Sequence, residues 1–391
     1  MRPLQNILVF QGGGALGAYQ AGTFEALHSH GIRPDWLAGI SIGAINSAII
    51  AGSPDEHKVR NLRDFWHMVS SGLDYGLTPQ DHFGKRMLKD WSVLAGSFAG
   101  VPGFFSPRLP TPYQMLLNPD YRISHYDTEP LMKTLERLVD FDRINAGKVR
   151  VSLGAVNVKT GNFAYFDTRR TRLCARHVAA SGALPPGFPP IEIDGEFYWD
   201  GGLVSNTPLQ YVLAADSYDS DLCIFQVDLF PARGQMPRDL LEVDARVKEI
   251  RYSSRTRMNT DEFARKQAIR RAARRLLEKL PLDLQDDEDA ALLRSIGVEY
   301  DVTLVHLIHR SAAYDSHAMD AEFSRATVEE NWKAGYDDAM RTLTHPKWTR
   351  RGRPRNGIQI FDLAQDTARD EGATDHAPAA MPHYAAKARR T

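Results

Sequence analysis

The sequence predicts an α/β fold, with a three-layer core built from a sheet covered by helices, followed by a mainly helical C-terminal extension. Three observations lead to this prediction. The first fifty residues alternate strand and helix patterns, which is typical of a sheet with helices packed on it. Residues 7–10 are a continuous apolar run, as in a fully buried strand, and residues 222–227 look like a further buried strand. Beyond Pro231 the sequence becomes charged and helical in character.

The composition is that of a globular protein and argues against nucleic acid as a partner. The chain has 391 residues, of which 43% are hydrophobic, 25% charged and 9% aromatic. That length fits two or three domains, or one large α/β unit with an appendage. With 48 Lys plus Arg against 49 Asp plus Glu, the net charge is −1, so there is no basic surplus for nucleic acid. Nothing in the sequence indicates an oligomeric state.

Changes in amino-acid composition along the chain suggest the domain boundaries. Residues 1–230 form the core domain, in which residues 73–126 are rich in Gly, Pro and aromatic side chains without a sustained period. We interpret this insertion as an irregular lid or cap; the alternative is a surface excursion that only stabilises the fold. Residues 231–346 form the charged extension with one strand. Residues 347–391 have few apolar anchors and are expected to be disordered.

Cysteine content and hydropathy indicate a cytoplasmic protein. Cys174 and Cys223 are too few for a disulfide framework, and no Cys/His cluster has the spacing of a zinc site, so we expect no metal. The first residues lack the pattern of a secretion signal. The longest weakly polar stretch, residues 37–52, spans 16 residues, fewer than the ~20 that cross a bilayer. Contact with a membrane would therefore be peripheral.

The core elements follow from apolar runs and turn signals. After the strand at 7–10, a helix begins near Gly17, and its small residues Ala18, Ala21 and Gly22 would let it lie close to a sheet. The further core elements are predicted as a strand at 36–38, a helix at 42–51, a hairpin of strands at 149–158 and 163–166, a helix at 178–183, and strands at 197–199 and 222–227.

The extension carries an arginine-rich helix. Between residues 246 and 279 there are 12 Lys plus Arg against 4 Asp plus Glu, and Ile269 and Leu276 lie on one apolar stripe. A solvated helix face is the first interpretation, and peripheral contact with an anionic membrane is the alternative. A strand at 302–308 and a helix at 327–343 complete the extension.

Ser41 lies in the pattern G-x-S-x-G, formed with Gly39 and Gly43 between a short strand and a helix. This pattern predicts a sharp, strained turn that exposes the serine Oγ at the positive end of the helix. Such an oxygen suits nucleophilic attack. The pattern alone also fits a glycine-rich helix start with a serine N-cap.

A second motif, Gly12-Gly13-Gly14 followed by Gly17, stands between the first strand and the first helix. Unhindered backbone amides in such a turn can converge on a developing oxyanion, where each preorganised donor is worth ~3 kcal/mol. The same residues match G-x-G-x-x-G and could bind a dinucleotide instead. That alternative needs an acidic residue ending the next strand, and Asp35 follows a poor strand.

The third motif, Asp200-Gly201-Gly202, follows an aromatic strand. Two glycines behind the aspartate allow another loop to approach, so the carboxylate could accept the Ser41 proton directly. A carboxylate becomes an adequate base where water is excluded, and the aromatic surroundings favour this. By itself, Asp-Gly-Gly is more often an Asx-type turn.

Together the three motifs resemble those of the patatin-like phospholipases, a family of serine–aspartate dyad acyl hydrolases. The resemblance covers roughly residues 6–230 and has the motifs in the family's order. It includes residues 180–189 before the aspartate and Asn206-Thr207-Pro208 after it. Leu16 is a departure, because the family usually has Arg or Lys there.

The resemblance implies hydrolysis of carboxylic esters of lipids, as by a phospholipase A or lysophospholipase, through an acyl-enzyme and without a cofactor. Ser41 would be the nucleophile and Asp200 the general base. The implied oxyanion hole consists of Gly12, Gly13 and Gly14, and the nucleophile elbow of Gly39 and Gly43. The expected partner is a lipid or acyl ester substrate.

Two other functions stay open at this point. His306 and His309 follow Ser41 and Asp200 in the chain order of a Ser-Asp-His triad, as in a carboxylesterase acting on non-phospholipid esters. In that arrangement several strands precede the serine, whereas Ser41 follows only the second strand. The other alternative is a non-catalytic lipid-binding scaffold that retains an inherited site.

Overall fold

A mixed sheet of nine strands forms the centre of the computed structural model. The structure describes residues 3–71, 82–108, 123–214, 220–253, 256–281, 284, 287–296, 300–310, 319–354 and 357–364. The strands are β1 Leu4–Phe10, β2 Trp36–Ile40, β3 Ser106–Pro107, β4 Tyr126–Asp127, β5 Arg150–Asn157, β6 Phe163–Asp167, β7 Ile191–Ile193, β8 Glu196–Asp200, β9 Asp221–Asp228, β10 Val302–Ile308 and β11 Ile358–Phe361. The order is β11-β10-β9-β1-β2-β5-β8-β7, with β6 also paired to β5, while β3 and β4 form a separate ribbon.

The central strands are apolar on both faces because helices cover both sides of the sheet. In β1, Leu8 and Phe10 belong to one buried cluster, whereas Ile7 and Val9 belong to the other. This alternation between two apolar layers explains why residues 7–10 form a continuous apolar run. The pairs β9–β1 and β1–β2 are parallel, so their carboxyl ends meet at one edge of the sheet.

The helices supply the two outer layers. Their bounds are α1 Gly17–Ser29, α2 Ile42–Gly52, α3 Lys58–Val69, α4 His82–Ala99, α5 Glu129–Leu138, α6 Phe141–Asn145, α7 Ala175–Ser181, α8 Leu209–Leu213, α9 Leu240–Tyr252, α10 Thr256–Leu277, α11 Glu288–Ile296, α12 Arg325–Thr344 and α13 Pro346–Thr349. Helices α1, α2 and α12 contribute to the cluster that contains Phe10. Helices α8 and α10 contribute to the cluster on the opposite face. The predicted three-layer α/β architecture is confirmed.

Helices α1 and α12 pack with their backbones in contact. A Cβ on Gly22 would overlap the carbonyl oxygen of Trp332, and a Cβ on Gly335 would overlap that of Tyr19. The Tyr19 hydroxyl also donates a hydrogen bond of 2.7 Å to Asp338. Gly22 thus serves contact with a C-terminal helix, whereas the sequence pattern suggested contact with the sheet.

Residues 82–99 form a regular helix, α4, where the sequence predicts an irregular lid. Trp91, Leu94 and Phe98 have helical spacing, but all three face solvent. Gly84 and Gly96 interrupt the pattern further, which is why the sequence shows no sustained period. Other parts of the predicted insertion, residues 73–81 and 109–122, lie outside the described residues.

The C-terminal part continues the central sheet. Strand β10 pairs in parallel with β9, and β11 pairs in parallel with β10. The side chains of Trp348 and Phe361 are buried against each other, with ring centroids 5.5 Å apart. Residues 347–354 and 357–364, at the start of the predicted disordered tail, are therefore folded. The remainder, residues 355–356 and 365–391, lies outside the described residues.

Candidate active site

Ser41 occupies the sharp turn between β2 and α2. Its φ of 56° and ψ of −123° lie where L-residues are rarely found. Such a conformation costs on the order of 1–3 kcal/mol. Gly39 and Gly43 allow it: a Cβ on Gly39 would overlap the Gly43 carbonyl oxygen, and a Cβ on Gly43 would lie 2.5 Å from the Phe10 carbonyl oxygen. The strained turn presents Ser41 at the carboxyl edge of the sheet.

The backbone of Ser41 is held by Ser181 of α7. The Ser41 amide donates a hydrogen bond of 3.0 Å to Ser181 Oγ, and the Ser181 hydroxyl donates one of 2.6 Å to the Gly154 carbonyl. Ser181 is completely buried, so water does not compete for these bonds. Sequence reasoning placed Ser181 only within the family-like block and assigned it no role.

Asp200 ends β8 at the level of Ser41 in the sheet. Ile40, which precedes Ser41, is paired with Gly154 of β5, and Asp200 is paired with the next residue, Ala155. Asp200 is only 2% exposed. Its Oδ1 accepts a hydrogen bond of 2.7 Å from the Gly202 amide, so the second glycine of the motif orients the carboxylate.

Burial raises the pKa of Asp200 to about 7, because the charged carboxylate has lost its hydration. Hydrogen bonding from the Gly202 amide and from the Ser41 side chain acts in the opposite direction, since it favours the ionised form. The Ser41 side chain therefore lies close enough to the Asp200 carboxylate to affect its ionisation. A carboxylate with this pKa is a much stronger base than one in water.

The glycine loop after β1 lies beside Ser41, since a Cβ on Gly12 would be 3.1 Å from the Ser41 Cβ. The three glycine amides are not equivalent. The Gly12 amide donates a hydrogen bond of 3.1 Å to the Asn206 carbonyl, so it is already engaged. Within the described part of the chain, the Gly13 and Gly14 amides have no hydrogen-bond acceptor. The donors available for an oxyanion are thus fewer than the three predicted.

The backbone amide of Ile42 is a further hydrogen-bond donor beside Ser41, and the sequence analysis did not identify it. Ile42 follows Ser41, lines the same pocket and is the first residue of α2, where backbone amides lack an intrahelical acceptor. Its position directly after the serine of G-x-S-x-G is the signal that could have identified it.

Two amide side chains, of which Gln11 is fully buried and Asn206 partly buried, connect the glycine loop to helix α9. Gln11 Nε2 donates a hydrogen bond of 2.8 Å to the Tyr252 carbonyl, and Asn206 Nδ2 donates one of 3.2 Å to the same oxygen. Asn206 Nδ2 also donates to the Gly12 carbonyl at 3.0 Å, while Gln11 Oε1 accepts from the Leu229 amide at 2.5 Å. The C-terminal part of the chain therefore helps to fix the loop, which no sequence motif indicated.

Ser41 and Asp200 line a pocket of about 220 Å³. The glycine loop and Asn206 also border it, and α4 contributes Gly96 and Ser97. The aromatic residues of its lining are Phe104, Phe105, Tyr126, Phe188, Phe230, Tyr252 and Phe323. Such a lining excludes water and suits an apolar group next to the serine and carboxylate.

Comparison with known protein families decides the relationship. The sequence model described as patatin-like phospholipase matches residues 8–213, more than half of the chain. The chain belongs to the patatin-like phospholipase family. A second family model, described as patatin phospholipase, matches residues 250–355 and so covers much of the C-terminal part. The family predicted from the three motifs is confirmed.

Relatives of this patatin-like chain are distant and much longer. A patatin-like phospholipase domain-containing protein of Caenorhabditis elegans, ZK370.4, is 27% identical over 201 residues, which cover 51% of this chain and 12% of the relative. The lysophospholipase NTE1 of Lodderomyces elongisporus is 22% identical over 233 residues, covering 59% of this chain and 13% of the relative. The alignments thus span about one eighth of these relatives.

Two solved structures are also similar to the patatin-like chain. VipD from Legionella pneumophila has 15% identity and a TM-score of 0.33, with 93% of this chain and 72% of VipD covered. The ExoU–SpcU complex from the type III secretion system of Pseudomonas aeruginosa has 14% identity and a TM-score of 0.29, with coverages of 87% and 76%.

The residues of the dinucleotide alternative are not brought together in this patatin-like chain. Asp35 lies at the amino end of β2, where its carboxylate accepts a hydrogen bond of 2.7 Å from the Asn6 amide. The glycine loop lies at the opposite, carboxyl end of β1. Leu16, the departure from the family pattern, is buried in the larger apolar cluster and does not line the pocket.

The histidines of the triad alternative lie away from the pocket. His306 is on β10, three strand spacings or about 14 Å from β2, and burial lowers its pKa to about 4. His309 shares a hydrogen bond of 3.1 Å with the Asn331 side chain and packs edge-on against Tyr19. Neither histidine lines the pocket that contains Ser41.

The arginine-rich helix α10 uses several of its cations in ion pairs. Arg271 contacts Asp301 at 3.0 Å and Arg274 contacts Glu278 at 3.3 Å.

None of the helices in the described part of the chain is long and apolar enough to cross a membrane. Among the same residues, no group of three or more His, Cys, Asp or Glu side chains could hold a metal ion.

Proposed function

We propose that this chain is a hydrolase that cleaves carboxylic ester bonds of lipids, of the phospholipase A or lysophospholipase type, with a Ser41–Asp200 dyad. The observation that carries the proposal is the strained Ser41 resting against a buried carboxyl group whose pKa is raised to about 7, at an aromatic pocket. Membership of the patatin-like phospholipase family supports the lipid substrate class.

In the first step, Ser41 Oγ forms a bond to the acyl carbonyl carbon while Asp200 accepts the hydroxyl proton. The carbonyl oxygen becomes an oxyanion, to which the amides of Gly13 and Gly14, without an acceptor in the described part of the chain, would donate hydrogen bonds. Asp200 then returns the proton to the leaving alcohol as the tetrahedral intermediate collapses. The product of this half-reaction is an acyl-enzyme on Ser41.

In the second step, water attacks the acyl-enzyme carbonyl and gives its proton to Asp200. Collapse of this second intermediate releases the fatty acid, and the proton returns to Ser41 Oγ. The aromatic walls would keep the acyl group out of bulk water, which strengthens each hydrogen bond to the developing charge.

We also propose a cytoplasmic location. The thiols of Cys174 and Cys223 are both free, Cys174 exposed and Cys223 buried, as expected in a reducing compartment. The dyad chemistry itself uses only side chains and backbone amides of this chain.

A substrate panel tests the proposed function. Phosphatidylcholine, lysophosphatidylcholine, triacylglycerol and a short p-nitrophenyl ester are offered to the wild type and to Ser41→Ala, Asp200→Asn and His306→Gln. We expect fatty-acid release by the wild type, a loss of at least ~10³-fold in both dyad variants, and near wild-type rates in His306→Gln. Binding of lipid without fatty-acid release would favour a non-catalytic scaffold, and inactive His306→Gln would favour the triad.

A further inference from the structure

Exposed apolar side chains are concentrated on elements that line the pocket. Helix α4 contributes Gly96 and Ser97 to the lining, and α9 contributes Tyr252. The solvent sides of these helices carry Met87, Trp91, Leu94 and Phe98 on α4, and Leu240, Val243, Val247 and Ile250 on α9. All eight side chains are 41–81% exposed. Leu203 and Val204, just after the pocket residue Gly202, are exposed as well.

The spacing makes each set a continuous stripe. On α4 the positions advance by four, three and four residues, and on α9 by three, four and three, so each set follows one face of its helix. Soluble monomers seldom expose apolar groups in this concentration unless the surface binds something. We call the two stripes together with Leu203 and Val204 the pocket rim.

The charged groups beside the pocket rim leave no positive surplus on α9. That helix has three acidic and three basic residues. Arg246 pairs with Glu249 at 2.7 Å, and Lys248 pairs with Asp320 at 2.7 Å. On α4, Lys89 pairs with Glu330 at 3.2 Å. By sequence, α4 has three basic residues and one acidic residue, so the two helices together carry a net charge of +2. This charge is small beside ten exposed apolar side chains, so apolar contact with a lipid surface of no net charge accounts for the rim better than attraction to a polyanion.

We propose that the pocket rim is the surface on which this protein docks to zwitterionic phospholipid aggregates. Trp and Phe side chains such as Trp91 and Phe98 partition into the headgroup–acyl boundary of a bilayer. Docking there places the pocket opening against the lipids, so an acyl chain passes into the aromatic lining without crossing water. This inference rests on the proposed function, because a lipid acyl hydrolase draws its substrate from such aggregates.

The docking surface differs from the arginine-rich surface suggested by composition. Electrostatic binding through α10 would require anionic lipid and weaken as salt rises. Binding through the pocket rim is hydrophobic, so it should occur on phosphatidylcholine alone and change little between low and high salt.

The test uses full-length protein and vesicles of phosphatidylcholine, with and without an anionic phospholipid. A rim variant combines Trp91→Gln, Phe98→Gln, Val243→Gln and Val247→Gln. The matched control combines Ile269→Gln and Leu276→Gln, which are 54% and 57% exposed on α10, a helix that contributes nothing to the pocket. Flotation measures binding, circular dichroism checks folding, and a soluble p-nitrophenyl ester reports activity that needs no aggregate.

We expect the wild type and the control to float with phosphatidylcholine vesicles and the rim variant to bind at least ten-fold more weakly. The rim variant should keep its rate on the soluble ester and lose at least ten-fold on vesicles. Equal flotation of the rim variant, equal loss in the control, or binding only to anionic vesicles would overturn the proposal. So would a dimeric wild type that becomes monomeric in the rim variant while flotation is unchanged. Flotation does not depend on catalysis. A wild type that floats through the pocket rim but releases no fatty acid would therefore refute only the proposed function.

Discussion

The ionisation of a single residue, Asp200, sets the pH dependence of the proposed chemistry. Its pKa is raised from 3.8 to about 7, and only the ionised carboxylate can accept the Ser41 proton. We therefore expect kcat/KM on a soluble ester to rise about tenfold per pH unit below pH 7 and to level off above it. A pH–rate profile between pH 5 and 9 measures this. A plateau that begins near pH 5 would mean that Asp200 titrates like an exposed carboxyl group.

Ser181 gives a second prediction at the residue scale. Ser181→Ala removes both the acceptor of the Ser41 amide and a donor to Gly154 in a dry site, which should lower the free energy of unfolding by about 1–3 kcal/mol. A displaced Ser41 should also lower kcat about ten- to hundredfold with little change in KM. Steady-state kinetics and urea unfolding measure both effects.

The control for this prediction is Ser53→Ala. Ser53 is also buried and donates a hydrogen bond of 2.7 Å to the Ile49 carbonyl, but it does not contact the site. It should lose stability and keep kcat. Equal kcat values for the two variants would show that Ser181 does not position Ser41.

At the scale of elements, β2 and α2 can approach each other closely because Gly39 has no side chain. Gly39→Ala would force a Cβ into the Gly43 carbonyl oxygen, and backbone cannot move aside as a flexible side chain can. We expect several kcal/mol of destabilisation, measured as a lower Tm, and loss of activity. Gly352→Ala is the control, since a Cβ there would meet no atom within 4 Å beyond its immediate chain neighbours. A Tm for Gly39→Ala within a degree of the control would contradict this account of the turn.

Elements whose pattern is local were predictable from the sequence. Strand β10 runs over Val302–Ile308, the predicted range, because six of its seven residues are β-branched or apolar, as is typical of a buried strand. Helix α4 was missed for the opposite reason: its apolar residues face solvent rather than the core, and glycines break the period. Prediction of a helix from its apolar pattern assumes that the apolar face is buried, whereas the apolar faces at the pocket rim are exposed.

The same distinction applies to the candidate site. Ser41, Asp200 and the glycine loop could be identified from the sequence, because their unusual backbone geometry requires neighbouring glycines and these glycines form recognisable motifs. Gln11 and Tyr252 could not, since their contribution is a hydrogen bond between distant segments made by ordinary residues. Ser181 is similar: only the fold brings its hydroxyl to the Ser41 amide.

At the scale of the whole molecule, the pairing of β9 with β10 makes the C-terminal part integral to the sheet. The sequence suggested a boundary at residue 230 because the composition changes there. The pairing of β9 with β10 could not be predicted, since strands distant in the chain carry no local sequence pattern that indicates their pairing. A chain that ends at residue 230 would expose the edge of β9 and the face of α1 that α12 covers.

We therefore expect residues 1–230 alone to aggregate, and residues 1–364 to fold with the Tm of the full chain. Expression of both fragments, followed by size-exclusion chromatography and thermal unfolding, measures this. A soluble, cooperatively folded and active 1–230 fragment would instead support an independent core domain.

Covalent labelling of Ser41 tests the central claim of a serine–aspartate dyad most directly. A fluorophosphonate reacts with a serine Oγ only where a base and an oxyanion site activate it. Intact-mass spectrometry with peptide mapping should find one phosphonyl group, on Ser41, in the wild type; none in Ser41→Ala; and labelling at least ~10²-fold slower in Asp200→Asn. Folded wild-type protein that stays unlabelled, or labelling at the wild-type rate in Asp200→Asn, would contradict the dyad.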